Sequence, residues 1–302
     1  MEPTTFNPAT STLAGPNVCL MGGGGTGKTH SIGTLVDAGI EVFYLGIEQG
    51  LESLLGYWTD VRPDNPKPRP IPPNLHWHKI NQPKFGFKDF ADQALRINTL
   101  ALDTLAKAPD PNRHTHNLWE TISRQLFNFH DDRTGKDFGP VDEWKPDRAL
   151  VIDGMTGMCK AAMSCVVGSR PVWNPGDYQV GQKQVSGLLQ LICDNCPCWF
   201  ILLAHDEKEI DPINGGMIRT ISAIGKALGP LIPPMFSDVI LCKRDATKWT
   251  WNTASAGVDT KARNLPWADG LAPDFRQAYK IWAARAQAAA VSNADSRRIL
   301  EA

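Results

Sequence analysis

The 302-residue chain has no excess of either charge: 31 Lys and Arg stand against 32 Asp and Glu, a formal net charge of −1. That excludes a global basic field, so nucleic acid would have to be held by local patches or by several subunits acting together. The chain also lacks any apolar run near the ~18 residues that a membrane-spanning helix needs. Met1 to Gly15 is polar, with no charged-then-apolar leader pattern. The expectation is a cytoplasmic protein with no membrane partner. No internal repeat is evident. Cysteine is present but unpatterned: seven, an odd number, are spread through predicted helices and strands, which suits reduced thiols better than a disulfide framework. The densest group, Cys193-Asp-Asn-Cys196-Pro-Cys198, has neither a second CxxC nor a nearby HxxxH and reads as packing rather than a zinc site. What remains is an ordinary composition, 42% hydrophobic with 26 glycines, sufficient for a sizeable core.

Against that plain background one stretch stands out. Gly22-Gly23-Gly24-Gly25-Thr26-Gly27-Lys28-Thr29 follows the apolar run Val18 to Met21 and precedes a helix-compatible segment from His30 to Ala38. Strand, then GxxxxGK[ST], then helix is the order of a phosphate-binding loop. Glycines without a Cβ let backbone N–H groups turn inward around phosphate oxygens, and the helix N-terminus adds partial positive charge. Lys28 is placed to reach the terminal phosphates and Thr29 to ligate Mg²⁺, with Gly22 to His30 forming the wall of the nucleotide site. The motif implies binding of a nucleoside triphosphate, with ATP and Mg²⁺ as the expected ligands.

Glu41 to Ile47 reads as a fully buried strand of a parallel sheet, expected beside the strand that carries the glycine motif. Glu48 follows at its C-terminal edge, where open α/β sheets bind ligands, and is a candidate to orient or deprotonate an attacking water; the alternative is a solvated cap for a helix over Leu51 to Tyr57. Residues 62–73 carry six prolines and read as an extended surface linker. Leu75 to Ile80 alternates as a strand that puts His76 and His78 on one face. Helical periodicity runs from Phe90 to Lys107 and from about His116 to Phe129, so that 59–148 forms an elaborated crossover within a single domain spanning 1–302.

The strand Ala149-Leu-Val-Ile152 ends in Asp153, as a Mg²⁺-holding carboxylate at the sheet edge requires. A helix starting at Gly154-Met-Thr156, a long amphipathic helix from Asp177 to Cys193 and the strand Cys198 to Ala204 follow, the last ending at His205. His205 is either a sensor of the nucleotide's terminal phosphate or a capping or packing histidine. Residues 206–229 read as a mobile functional loop. Asp238 to Arg244 and Thr247 to Thr253 read as a hairpin, and 273–302 as an Ala-rich helix with a fraying tail.

Taken in order, these parts resemble the RecA-type P-loop ATPases, and within them the phage-encoded branch of Sak-type single-strand annealing and recombination ATPases. The resemblance spans most of the chain and is most specific at Gly22 to Thr29 and at Leu150-Val-Ile-Asp153. It implies an α/β fold with a mostly parallel central sheet flanked by helices, plus a C-terminal β-hairpin and helix. It further implies ATP hydrolysis with Glu48 as catalytic glutamate, and His205 as polar sensor. Asn74 to Pro83, with its closing Gln-Pro, matches the family's next strand, and 206–229 falls where relatives carry a DNA-contacting loop. Lys261 and Arg263 lie where relatives reach into the neighbouring subunit's site to stabilise developing phosphoryl charge; a solvated basic turn is the alternative. The implied partners are further copies of the chain in a ring or filament, single-stranded DNA and a single-strand binding protein, in the cytoplasm of a host cell. Two features depart from the family's pattern: the stretch from Glu48 to Asp153 is long and proline-rich, and 206–229 is not conspicuously basic. A different class, an assembly or remodelling ATPase acting on a protein partner, fits the same motifs. A small-molecule kinase would need a closing lid, and 60–147 offers no Arg-rich one.

Overall fold

The computed structural model describes residues 6–62, 65–81, 86–99, 101, 104, 117–168, 170, 172–210, 215–246 and 248–300. Among these the strands are β1 (Asn17–Met21), β2 (Glu41–Gly46), β3 (Leu75–Lys79), β4 (Arg148–Asp153), β5 (Trp199–Ala204), β6 (Asp206–Ile210), β7 (Met217–Ile221), β8 (Asp238–Asp245) and β9 (Lys248–Asn252). Seven form one sheet in the order β3-β2-β4-β5-β1-β8-β9, parallel except for the antiparallel β8–β9 edge; β6 and β7 make a separate antiparallel pair. The helices are α1 (Lys28–Asp37), α2 (Leu51–Thr59), α3 (Phe87–Thr99), α4 (Leu118–Phe127), α5 (Met155–Val167), α6 (Pro175–Asn195), the short α7 (Gly225–Leu228) and α8 (Phe275–Leu300). None of them is long and apolar enough to cross a membrane.

The central strands are apolar on both faces because both faces are covered. Cys19, Met21, Phe43, Leu45, Leu150, Ile152, Phe200 and Leu202 point to one side and pack with Met155, Met158, Val185 and Leu189 of α5 and α6. Val18, Leu20, Val42, Tyr44, Val151, Ile201 and Leu203 alternate to the other side. There they meet Ile32 and Leu35 of α1, Leu54 and Trp58 of α2, and Phe275 and Trp282 of α8. Each fully buried side chain of this size removes enough apolar surface to contribute about 1.5–3 kcal/mol.

Parallel pairing brings the strand ends into one row: Met21 lies opposite Ala204, Leu203 opposite Asp153, and Asp153 opposite Gly46. The C-terminal edge therefore gathers the glycine turn after β1, Glu48 just past β2, Asp153 of β4 and His205 after β5.

Three expectations need correction. First, β2 does not lie beside β1; its neighbours are β3 and β4, and β4 and β5 separate it from β1. Strand neighbours follow from crossover paths, and four strands that are apolar on both faces carry no pattern that distinguishes their order. Second, 206–229 is not an open loop. Within it β6 and β7 pair from Asp206↔Ile221 to Ile210↔Met217, braced by an Arg219–Asp206 ion pair, and α7 follows. Residues 211–214 fall outside the described residues. Third, the C-terminal helix does not stop at Ala290: α8 runs on to Leu300, and 286–300 holds neither proline nor glycine to end it.

Elsewhere the expected elements stand with small shifts at their ends. Leu100, Leu102, Leu105 and Lys107 of the expected crossover helix, His116, the Gln82-Pro83 closing pair and Thr247 of the expected hairpin strand lie outside the described residues.

Candidate functional site

The turn between β1 and α1 depends on glycine at particular positions. Gly25 and Gly27 have φ of 73° and 79°, and a Cβ on Gly27 would meet the Trp249 ring at 2.7 Å. Gly27 then opens α1 without a side-chain cap. Backbone N–H groups at a helix start suit an anion. Lys28, the first residue of α1, is 8% exposed, and its Nζ donates to the carbonyls of Gly22 (2.6 Å) and Gly23 (2.9 Å). Burial pulls its pKa below the ordinary lysine value, while Cys242, Asp153, Asp206 and Glu48 act in the opposite direction. The ammonium thus sits inside the turn, folded onto carbonyls.

Asp153 faces this turn. Its Oδ2 accepts from the Thr29 hydroxyl at 3.0 Å and from the Tyr44 hydroxyl. Burial and the neighbouring Glu48 raise the Asp153 pKa, against the hydrogen bonds from Tyr44 and Thr29 and the charge of Lys28. Burial beside Asp153 likewise pushes the Tyr44 phenol far up, so it stays a donor. Gly50, the residue before α2, has room for no side chain: a Cβ there would overlap Asp153 Oδ2 and come within 2.6 Å of the Tyr44 hydroxyl.

Glu48 enters from the next strand. Its Oε1 accepts from the Gly157 backbone N–H at 2.8 Å, and Oε2 lies 3.4 Å from His205 Nε2. Gly157 belongs to the first turn of α5, so Glu48 satisfies an orphan amide there. It does not cap α2, whose N-terminus at Gly50 has no side-chain cap. Gly154 is glycine for the same reason: its φ is 121°, and a Cβ would stand 2.6 Å from Glu48 Cγ. His205 is half-exposed and faces Glu48 across the cavity rather than packing in the core.

These groups line one cavity of about 420 Å³. Its lining includes Glu48, Asp153 and His205, the turn from Gly24 to Thr29, and His30, Arg62 and Trp249. Trp249 Nε1 donates to the Gly25 carbonyl at 3.1 Å, and the His30 ring lies 4.9 Å from the Trp249 ring and 5.0 Å from that of Tyr57.

The fold therefore brings together Gly24, Gly25, Thr26, Gly27, Lys28, Thr29, His30, Glu48, Asp153 and His205, with Gly22 and Gly23 behind them as partners of Lys28. It does not bring Lys261 or Arg263 to this cavity. Lys261 Nζ donates to the carbonyls of Pro234 and Phe236, and the Arg263 backbone is held by Asp238 at the start of β8. That is the opposite end of the sheet, about 13 Å along the strand from the glycine turn. Three contributors escaped the sequence reading: Tyr44, Gly50 and Trp249. Only Tyr44 left a trace, as the one hydroxyl in an otherwise apolar strand.

Among the described residues no group of three or more His, Cys, Asp and Glu is placed to hold a metal. The thiols of Cys193 and Cys196 are free and pushed by burial to about 12 and about 11, so they stay protonated. Neither a protein-family model nor a curated protein matches the chain.

Proposed function

We propose that the chain is a Mg²⁺-dependent ATP hydrolase with a RecA-like P-loop core, which assembles with copies of itself into a ring or filament and acts on single-stranded DNA in recombination or annealing. One observation carries the reading: a hydroxyl and a buried carboxylate, Thr29 and Asp153, meet beside a glycine turn that holds a buried lysine, and a second carboxylate, Glu48, reaches the same cavity.

The metal fits this pair. Mg²⁺ takes oxygen ligands at 2.0–2.1 Å in octahedral geometry, which sets adjacent ligands about 2.9 Å apart. Thr29 Oγ1 and Asp153 Oδ2 stand 3.0 Å apart. Two protein oxygens suffice, because phosphate oxygens and water complete such a shell. When bound, the metal supplies charge neutralisation on the phosphates. The protein's own groups do the rest. Amides of the turn and the α1 N-terminus cradle phosphate oxygens, and Lys28 exchanges its carbonyl partners for them. Glu48 takes a proton from the attacking water, and His205, in contact with Glu48, registers the state of that carboxylate. The exposed Arg263, remote from its own cavity, and Lys261 beside it are assigned to a neighbour's site, where they stabilise phosphoryl charge in trans.

The second reading, remodelling of a protein partner, is favoured by the β6–β7 hairpin. β6 carries Asp206, Glu207 and Glu209 against Lys208, and its far end exposes Ile210 and Met217 at 73% and 64%. Strands with three carboxylates against Lys208 and Arg219, and with two exposed apolar side chains, suit a protein surface better than a phosphate backbone. ATP turnover with and without single-stranded DNA at low salt, with assembly size measured in parallel, separates the two. Stimulation by DNA supports recombination; turnover indifferent to DNA assigns the hairpin to a protein partner.

A further inference from the structure

We propose that the part of the cavity lined by His30, Arg62 and Trp249 is a seat for a purine base, with the indole of Trp249 as its stacking surface. The inference rests on the triphosphate reading and adds what lies beyond the phosphates. A nucleotide held at Lys28 and Thr29 must place its base somewhere, and the same cavity is also lined by His30, Arg62 and Trp249.

Trp249 is fixed in place. Three atoms of its ring system, Cδ2, Cγ and Cε3, lie 2.7, 2.9 and 3.0 Å from where a Gly27 Cβ would be, so the glycine backbone sits over the ring's face and not at its edge. The ring N–H is tied to Gly25 O. With one face on backbone and one edge bonded, the indole cannot swing, yet it stays only half-buried and lines the cavity. A stacking surface needs that combination of rigidity and access. His30 stands 4.9 Å from it, tilted by 55°, and Arg62 Nη1 lies 2.8 Å from His30 Nε2, so a second ring and a planar cation border the same space. Aromatic and guanidinium planes with few fixed polar groups accept a flat heterocycle. A purine covers more of an indole than a pyrimidine does.

The experiment is calorimetric titration of the full chain with Mg·ATP, Mg·UTP and inorganic tripolyphosphate, comparing wild type with Trp249→Ala and Trp249→Phe, each first checked for an unchanged thermal melt. Wild type should bind ATP more tightly than UTP. Trp249→Ala should weaken ATP by about 5- to 150-fold, the range spanned by stacking of one base. It should also remove the preference over UTP and leave tripolyphosphate unchanged, while Trp249→Phe retains most of the ATP affinity. Equal weakening of ATP and tripolyphosphate in Trp249→Ala would mean that Trp249 only props the glycine turn, and would overturn the proposal. An undiminished preference for ATP in that variant would overturn it too. Failure of wild type to bind tripolyphosphate and ATP alike would instead remove the triphosphate reading, and the base seat with it. Should Trp249→Ala melt early, Trp249→Phe decides: loss of the ATP preference in a well-folded phenylalanine variant counts against a stacking role.

Discussion

Gly50 and Gly187 make opposite predictions from the same substitution. Gly50 has φ of −129°, which any residue adopts, so it is glycine for space alone. An added methyl group would overlap the Asp153 carboxylate and crowd Tyr44. Gly50→Ala should therefore lower stability by about 1–3 kcal/mol in urea unfolding, the cost of overpacking. It should also abolish Mg²⁺-dependent ATP binding, because Asp153 must leave Thr29. Gly187 lies on the exposed side of α6, and a methyl group added there would have nothing within 4 Å. Gly187→Ala should raise stability by about 0.5–1 kcal/mol, as expected inside a helix. The contrast also marks what a sequence can disclose at this scale. Gly22 to Thr29 is legible because the chemistry depends on residues adjacent in the chain. Gly50, Tyr44 and Trp249 are not, because each matters for what it touches 100 or more residues away, and no local pattern encodes that.

β3 is an edge strand, and a polar clamp covers it. Trp77 and Lys79 donate their backbone N–H groups to Asp131 and Asp132, and Arg133 donates to the Leu75 carbonyl. His76 is buried between Asp131 at 2.9 Å and Glu41 at 3.3 Å, with Arg148 on the far side of Glu41. Burial works against the imidazolium, but Glu41 and Asp131 outweigh it and hold His76 above its ordinary 6.5. Because the folded value is raised, the clamp's contribution is full below the unfolded value and disappears as pH rises through the folded one. The bond from His76 holds Glu41 below its ordinary 4.5. Asp131 is also held low: burial opposes this, but hydrogen bonds from Thr134 and His76 prevail. Their contribution is present above their unfolded values and is lost as pH falls through the folded ones. Urea unfolding as a function of pH should therefore show a loss of stability on the alkaline side of 6.5, and His76→Gln should lack that loss. An identical alkaline limb in both proteins would show that the clamp does not act as an ion triad.

This clamp was invisible in the sequence, where His76 and His78 read only as an alternating pair; Asp131 lies 55 residues away and reaches β3 by a turn with no apolar signature. The existence and type of β1, β2, β4, β5, β8 and β9 were readable from composition, whereas their order was not. Likewise the β6–β7 pairing escaped notice because Asp206-Glu-Lys-Glu lacks the apolar alternation that marks a half-buried strand.

For the molecule as a whole, the proposed reading assigns Arg263, which lies at the opposite end of the sheet from its own cavity, to a neighbour's site. Arg263→Ala should bind ATP normally and turn over poorly, by at least about 10³-fold if it acts as a charge-stabilising finger. Mixing Arg263→Ala with Glu48→Gln, each inactive alone, should restore part of the turnover, because some interfaces then pair an intact glutamate with an intact arginine. No recovery in mixed assemblies of normal size would assign Arg263 to its own subunit or to no catalytic role.

The most direct test of the account is phosphate release from Mg·ATP by wild type and by Glu48→Gln, with ATP affinity measured on the same samples. The account predicts Mg²⁺-dependent release by wild type and a fall of about 10²–10⁴-fold in Glu48→Gln, the range for loss of a general base, at unchanged affinity. Equal release by the two proteins, or tight binding by wild type with no release at all, would contradict it.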